Sequence, residues 1–538
     1  MGVLVPFDLL NTQKIVARGF VSTLLLLTSL SVGGETIVVS TEQGEIVGVR
    51  HGDHIAYKGI PFAQPPLGPL RWQPPQPVAK HDGVMSAADF GPVCMQRRGD
   101  DTPPMSEDCL TLNIWTPGAD NAKRPVMVWL HGGGFRSGSN RYQGQVFAQR
   151  GVVLVALNYR LGPLGIFAHP ALNPAVANYG VMDMVQGLQW VQTNIANFGG
   201  DPDNVTIFGV SAGGMSVNMM LVAPAAEGLF HRAIAQSAYG TWGLPRTRSA
   251  AKTSVLNMDL SPADSAEEIS IKVVERVVAQ LSESDAGEQV DQSDRLRRSR
   301  VQTAASLRQL PADKLVRAYD GFYLPVVDGV TLPEEPALLL ANGQHHGVPV
   351  IMGGNDYEGS VQPYSGISID FLKTFYAGKH DQVRALYAAD FAVQESLGWQ
   401  RLFGDTRYVV AARLQAAHLA RQDNPAWLFY MTYIPPTLRD QWAGSVHGFD
   451  SYVLTRGKTS GDPAMAKLSE RMLTYWVNMA RHGDPNSDGV LAWPTYKPTS
   501  EEWMVFGEQD EVRQKVISAR LDFIEAHYRE RTGAKLTR

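Results

Sequence analysis

The chain has 538 residues, 44% of them hydrophobic and 19% charged, with a net charge of −5 at neutral pH. It is long enough to bury a large core, and its mildly acidic balance without a basic stripe argues against nucleic acid as a partner. Length alone suggests several domains, but large α/β enzymes often form one sheet-centred unit.

At the N-terminus, Lys14 and Arg18 precede an apolar stretch from Phe20 to Val32, followed by Gly33 and Gly34. Charge, short apolar core and small residues in that order read as an export signal over residues 1–34. The apolar core is too short to span a bilayer, so a secreted or periplasmic protein without a stable membrane span is expected once the signal is removed. An uncleaved anchor is the competing reading.

Thr36 to Ala56 alternates as short strands do and predicts an N-terminal antiparallel ribbon. Cys94 and Cys109 are the only cysteines, 15 positions apart. In an exported chain such a pair suggests one disulfide, and in the cytosol two free thiols. Closing a loop of that size contributes about 3 kcal/mol on the chain-entropy account.

Pro125-Val126-Met127-Val128-Trp129-Leu130 is continuously apolar, as a strand buried on both faces would be. His131-Gly132-Gly133-Gly134-Phe135 follows it directly. Consecutive glycines let backbone N–H groups approach a substrate oxygen, and an acyl-transfer intermediate carries an oxyanion that needs such donors. Gly133 and Gly134 are two candidates. Val152 to Leu157 reads as another buried strand, and Met182 to Asn194 as a helix.

Val205-Thr206-Ile207-Phe208 leads into Gly209-Val210-Ser211-Ala212-Gly213, and a small-residue helical stretch follows. Strand, sharp turn and helix around G-x-S-x-G lift the Ser211 hydroxyl out of the structure as a nucleophile. The glycines are needed because a Cβ would collide across the turn. The N–H of Ala212 is the third oxyanion donor. Arg232 to Gln236 is the next strand, and Tyr239 and Trp242 beyond it either line the acyl pocket or pack the core.

Residues 261–318 are polar, charged and helical in pattern, a solvated helical insertion or a lid over the site. Strand character returns at Val348 to Met352, and Ser518 to Glu530 reads as a final amphipathic helix. Strands alternating with helices predict an α/β architecture, a large mostly parallel sheet flanked by helices. Residues 35–538 then form one catalytic unit.

A serine nucleophile needs a base and an acid, which in α/β-hydrolases follow in the order acid, then histidine. Glu358, in Gly353-Gly354-Asn355-Asp356-Tyr357-Glu358-Gly359, lies just past the Val348–Met352 strand. Asp328, the other candidate, sits in an ordinary turn. Of the later histidines, His418 and His527 lie in helical stretches, His380 among charges and His482 at a helix end. Only His447 occupies a small-residue loop, Gly444-Ser445-Val446-His447-Gly448. No phosphate loop or metal-ligand cluster appears, so no metal is expected.

Several segments together resemble the type-B carboxylesterase and cholinesterase family. They are Lys58 to Ala63, Ser106 to Asn113, the His131 glycine motif and Phe198-Gly199-Gly200-Asp201-Pro202 leading to Ser211. Asn355 to Ser360, the His447 loop, Tyr475-Trp476 and Gly483 to Asn486 complete the set. The likeness covers residues 36 to 510 in order. It implies an α/β-hydrolase fold, hydrolysis of a small-molecule carboxylic ester without a cofactor, and a Ser211, Glu358, His447 triad. It also implies a Cys94–Cys109 bridge, and it places Ser216 beside the triad.

Two departures stand out. Val210 replaces the glutamate that usually precedes the nucleophile, and the segment from Met95 to Asp108 lacks any aromatic residue. A choline ester would lose both an anionic neighbour and a cation–π platform, so neutral esters are expected. The rivals are an amidase or carbamate hydrolase using the same site, and a cholinesterase-like binding protein with a vestigial site. The retained Ser211, Glu358 and His447 argue against the latter.

Overall fold

An antiparallel ribbon opens the fold, formed by β1 (Thr36–Thr41), β2 (Gly44–His51) and β3 (His54–Pro61). β4 (Val84–Ser86) pairs with β2, and β5 (Val93–Cys94) pairs with β6 (Met105–Ser106) in a separate small sheet. β7 (Thr111–Thr116) joins the ribbon to the central strands. These are β8 (Arg124–Leu130), β9 (Val153–Leu157), β10 (Gly200–Val210), β11 (Arg232–Gln236), β12 (Val350–Asn355), β13 (Ala426–Met431) and β14 (Glu502–Phe506). They pair in parallel in the order β9-β8-β10-β11-β12-β13-β14, and β15 (Glu511–Gln514) closes the far edge antiparallel. This computed structural model describes residues 34–97, 99, 102–172, 176–250, 265–284 and 303–532. Apart from Gly34, the expected signal lies outside them.

The continuous apolar runs exist because the parallel strands bury both faces. Along β8, Val126, Val128 and Leu130 enter one core while Met127 and Trp129 enter the other. The same alternation runs through β13, with Leu428 and Tyr430 on one side and Trp427 and Phe429 on the other. Successive strand side chains point to opposite faces, so one sheet divides two cores. The helix Tyr179–Asn194 covers the first with Met184, Leu188 and Val191. The helix Pro463–His482 covers the second with Leu468, Met472 and Trp476. Asp462 caps that helix by accepting from the N–H groups of Ala464 and Met465, and Gly483 ends it at φ 73°.

The α/β class and the mostly parallel sheet agree with the sequence reading. The 261–318 segment contributes helices at Ala266–Ser284, Ala304–Arg308 and Ala312–Arg317, with residues 285–302 outside the described set. Among the described residues, no helix is long and apolar enough to cross a membrane.

The chain runs from β8 to β9 on one side, then returns to β10 on the other. Strand order therefore reverses at β8, and ligands of open α/β sheets gather at the carboxyl ends of strands flanking such a point. His131 follows β8 there and Ser211 follows β10.

Cys94 and Cys109 form a disulfide with Cα atoms 5.0 Å apart. Gln96, inside the closed loop, donates to Gly138 O and accepts from Gly138 N, which ties the loop to the turn beyond His131. Replacing both cysteines by serine is expected to lower unfolding free energy by about 3 kcal/mol. Denaturant titration measures this, and unchanged stability would show that the bridge does not constrain the unfolded chain.

Candidate active site

β10 ends at Val210, and Ser211 takes φ 59° and ψ −121° before the helix Ala212–Met220 begins. Positive φ is uncommon for a residue with a Cβ, and such strain collects at functional sites. The turn is tight because it closes around the end of β8. A Cβ on Gly209 would lie 2.5 Å from Leu130 O, and one on Gly213 only 2.0 Å from the same atom. Both glycines of G-x-S-x-G are thus required by one neighbouring carbonyl.

The loop after β8 packs directly on this turn. A Cβ on Gly132 would sit 2.7 Å from Val210 O and 3.3 Å from Ser211 Cβ. Gly133 and Gly134 have φ 111° and 62°, conformations that a side chain would strain. Gly133 O accepts from the N–H groups of Arg136 and Ser137, and Gly134 O accepts from Tyr323 N–H. The N–H groups of Gly133 and Gly134 donate to no acceptor among the described residues. That of Ala212, opening its helix, has no intrahelical partner.

Glu358 begins the 3₁₀ turn Glu358–Tyr364 after β12 and is buried. One carboxylate oxygen, Oε1, accepts from Ser237 Oγ at 2.6 Å and from Asn355 N at 2.6 Å. The other, Oε2, meets Nδ1 of His447. The His447 loop is fastened to the end of β12 by Tyr357 N donating to Ser445 O at 2.9 Å, and its own backbone N donates to Ser360 Oγ at 2.9 Å. The ring of Tyr408 packs 4.7 Å from the imidazole. Nε2 of His447 is buried and unbonded among the described residues. Val210 joins the two halves of the site, since a Cβ on Gly448 would lie 3.8 Å from Val210 Cγ2.

Asp328 does different work. Its carboxylate accepts from the N–H groups of Ala177, Val330, Thr331 and Leu332 and from Asn178 Nδ2, so it organises a turn. Ser216 donates to Ala212 O within its own helix, and the serine touching the acid is Ser237. Ser237, at φ 47° directly after β11, carries no motif that marks it in the sequence. Behind it, the buried Asp450 accepts from Gln236 Nε2 and Asn355 Nδ2, and burial raises its pKa. Tyr239 and Trp242 are buried, Tyr239 against the ring of Tyr408, and Trp242 Nε1 donates to Tyr528 Oη. His131 stacks on Tyr159 at 4.1 Å, and burial pushes its pKa down to about 4, so it stays neutral. Among the described residues, no group of three His, Cys, Asp or Glu is placed to hold a metal ion.

The arrangement gives a strained serine, a carboxylate-bound histidine and unengaged N–H groups around one turn. A model of the carboxylesterase family matches residues 35–524. The chain belongs to that family of carboxylic-ester hydrolases. It is similar to a fumonisin B1 esterase of Sphingopyxis macrogoltabida, 33% identical over 90% of this chain and 89% of that one. It is also similar to the para-nitrobenzyl esterase of Bacillus subtilis (strain 168), 30% identical over 90% of this chain and 99% of that one. Among solved structures, a Geobacillus stearothermophilus carboxylesterase superposes with a TM-score of 0.71 at 29% identity, covering 90% of this chain and 99% of that one.

One member of the His447 support is ionisable in the working range. Asp356 accepts from Ser445 N–H, and burial pushes its pKa up to about 7 against the opposing pull of Arg401. A raised carboxyl pKa means that the folded state holds the proton more tightly than the unfolded chain. Stability from this group is present in acid and lost as pH rises through about 7. Asp356→Asn keeps an acceptor for Ser445 and removes the charge. Its Tm relative to wild type should therefore increase between about pH 5 and about pH 8. A constant difference across that range would contradict this account.

Proposed function

We propose that the protein is a serine carboxylesterase that works through an acyl-enzyme on Ser211. Ser211 Oγ attacks the ester carbonyl as its proton passes to His447 Nε2. Glu358 holds Nδ1–H, fixing the tautomer and stabilising the imidazolium. The tetrahedral oxyanion is held by the N–H groups of Gly133, Gly134 and Ala212, each contributing about 3 kcal/mol. His447 then protonates the leaving alcohol, and water, activated by the same base, releases the acid.

The observation that carries this reading is the binding of His447 Nδ1 by Glu358 with Nε2 left unbonded. Family membership supports ester over amide chemistry, and an intact Ser211, Glu358 and His447 weigh against a vestigial site. Val210 in place of an acidic residue favours a neutral ester over a choline ester. Secretion or a periplasmic location is part of the proposal, supported by the Cys94–Cys109 disulfide, since such bonds persist in oxidising compartments. Sequencing the exported protein should find its N-terminus near Glu35, and an intact Met1 would contradict that location.

Ser211→Ala should fold normally and lose roughly 10³-fold or more in turnover of 4-nitrophenyl butyrate. Glu358→Gln should depress kcat strongly without unfolding. Asp328→Asn should lower Tm and leave kcat near wild type. The reverse pattern in the last two variants would move the acid role to Asp328.

A further inference from the structure

Five arginines are buried among the described residues: Arg71, Arg160, Arg401, Arg407 and Arg413. Four of them meet a carboxylate, in the pairs Arg71–Glu107, Arg160–Asp183, Arg401–Asp390 and Arg413–Glu525. Arg407 does not. It is 2% exposed, it forms no ion pair among the described residues, and its Nε donates to nothing. An arginine stays charged in a protein, and a buried charge without a counterion is costly.

Aromatic faces surround this cation. Its Cζ lies 4.3 Å from the ring centre of Tyr239, 4.8 Å from Trp242, 5.5 Å from Phe322 and 5.9 Å from Tyr408. Cation–π contact offsets part of the desolvation but supplies no acceptor. Two of the rings carry buried hydroxyls that the guanidinium faces, those of Tyr239 and Tyr408, and neither hydroxyl has a partner among the described residues apart from Arg407. The cluster therefore holds Arg407 Nε, Tyr239 Oη and Tyr408 Oη together without an anion among them.

Its place in the fold is beside the reaction centre. Tyr408 packs on His447, and a Cβ on Gly134 would lie 2.4 Å from Phe322 Cδ1. Arg407 thus stands one ring away from both the base and the oxyanion loop. It sits in a single π-helical turn, Asp405–Val409, all of it buried. Such turns are rare and recur at functional sites.

We propose that Arg407 binds a carboxylate at the far end of the substrate's acyl chain, with the Tyr239 and Tyr408 hydroxyls completing the site. A guanidinium matches a carboxylate with two parallel hydrogen bonds. The substrate class is then a monoester of a dicarboxylic acid. The inference rests on the esterase reading and replaces its expectation of a neutral ester: the scissile bond is unchanged, and the acyl tail is anionic.

The test compares mono-4-nitrophenyl adipate with 4-nitrophenyl hexanoate, which match in chain length and leaving group. Wild type should prefer the adipate monoester in kcat/KM. Arg407→Met should lower the adipate-to-hexanoate ratio by ~10-fold to ~100-fold, as loss of a charged hydrogen bond implies, while Arg407→Lys loses less. Because both rates come from one preparation, the ratio is independent of how much variant folds. A wild type that prefers hexanoate, or a ratio unchanged in Arg407→Met, would overturn the proposal. Failure of wild type to hydrolyse either ester would instead overturn the esterase reading beneath it.

Discussion

The carbonyl oxygen of Leu130 sits in the notch left by Gly209 and Gly213, and the active-site geometry follows from that contact. With any side chain at either glycine, β10 could not turn this close to the end of β8. The turn forces Ser211 to positive φ and starts a helix at Ala212. It also brings Gly132 against Val210, so the glycine loop and Ser211 arrive together. Two parallel strands with full pairing from Val126 to Leu130 make the placement rigid. The site therefore inherits its precision from the sheet, as positioning of a reacting group requires.

Glu358 and His447 come from the other side of that turn and depend on polar satisfaction. Asn355 is the hub: its N–H and Nδ2 serve Glu358, Nδ2 also reaches Asp450, and Oδ1 accepts from Ser445. Ser237 adds a third donor to the same Glu358 oxygen. That oxygen is saturated, which leaves Oε2 for His447 alone. In a low-dielectric interior such a network is strong when complete and costly when broken.

Legibility in the sequence followed the range of the forces involved. The Ser211 turn and the Gly133–Gly134 loop are local, and their glycines are demanded by contacts that any such turn makes. Glu358 and His447 were reached by chain order and loop character, and the structure brings these two together. Asp328 looked similar in type because both carboxylates follow apolar runs, and only tertiary contacts separate a turn-organising carboxylate from one that holds a histidine. Ser216 and Ser237 exchange places for the same reason: one is turned onto its own helix, the other onto Glu358 from 121 positions away. β13 was not anticipated, since a short buried apolar run does not declare strand or helix by periodicity. Arg407 was invisible, because a missing counterion can be seen only when every neighbour is in place.

The central claim is that Ser211 alone is the activated nucleophile. Peptide mass spectrometry after treatment with a small fluorophosphonate tests it most directly. One adduct per chain is expected, on the peptide carrying Ser211, with labelling abolished in His447→Ala. An adduct on another serine, or labelling of Ser211 that persists at full rate without His447, would contradict the account.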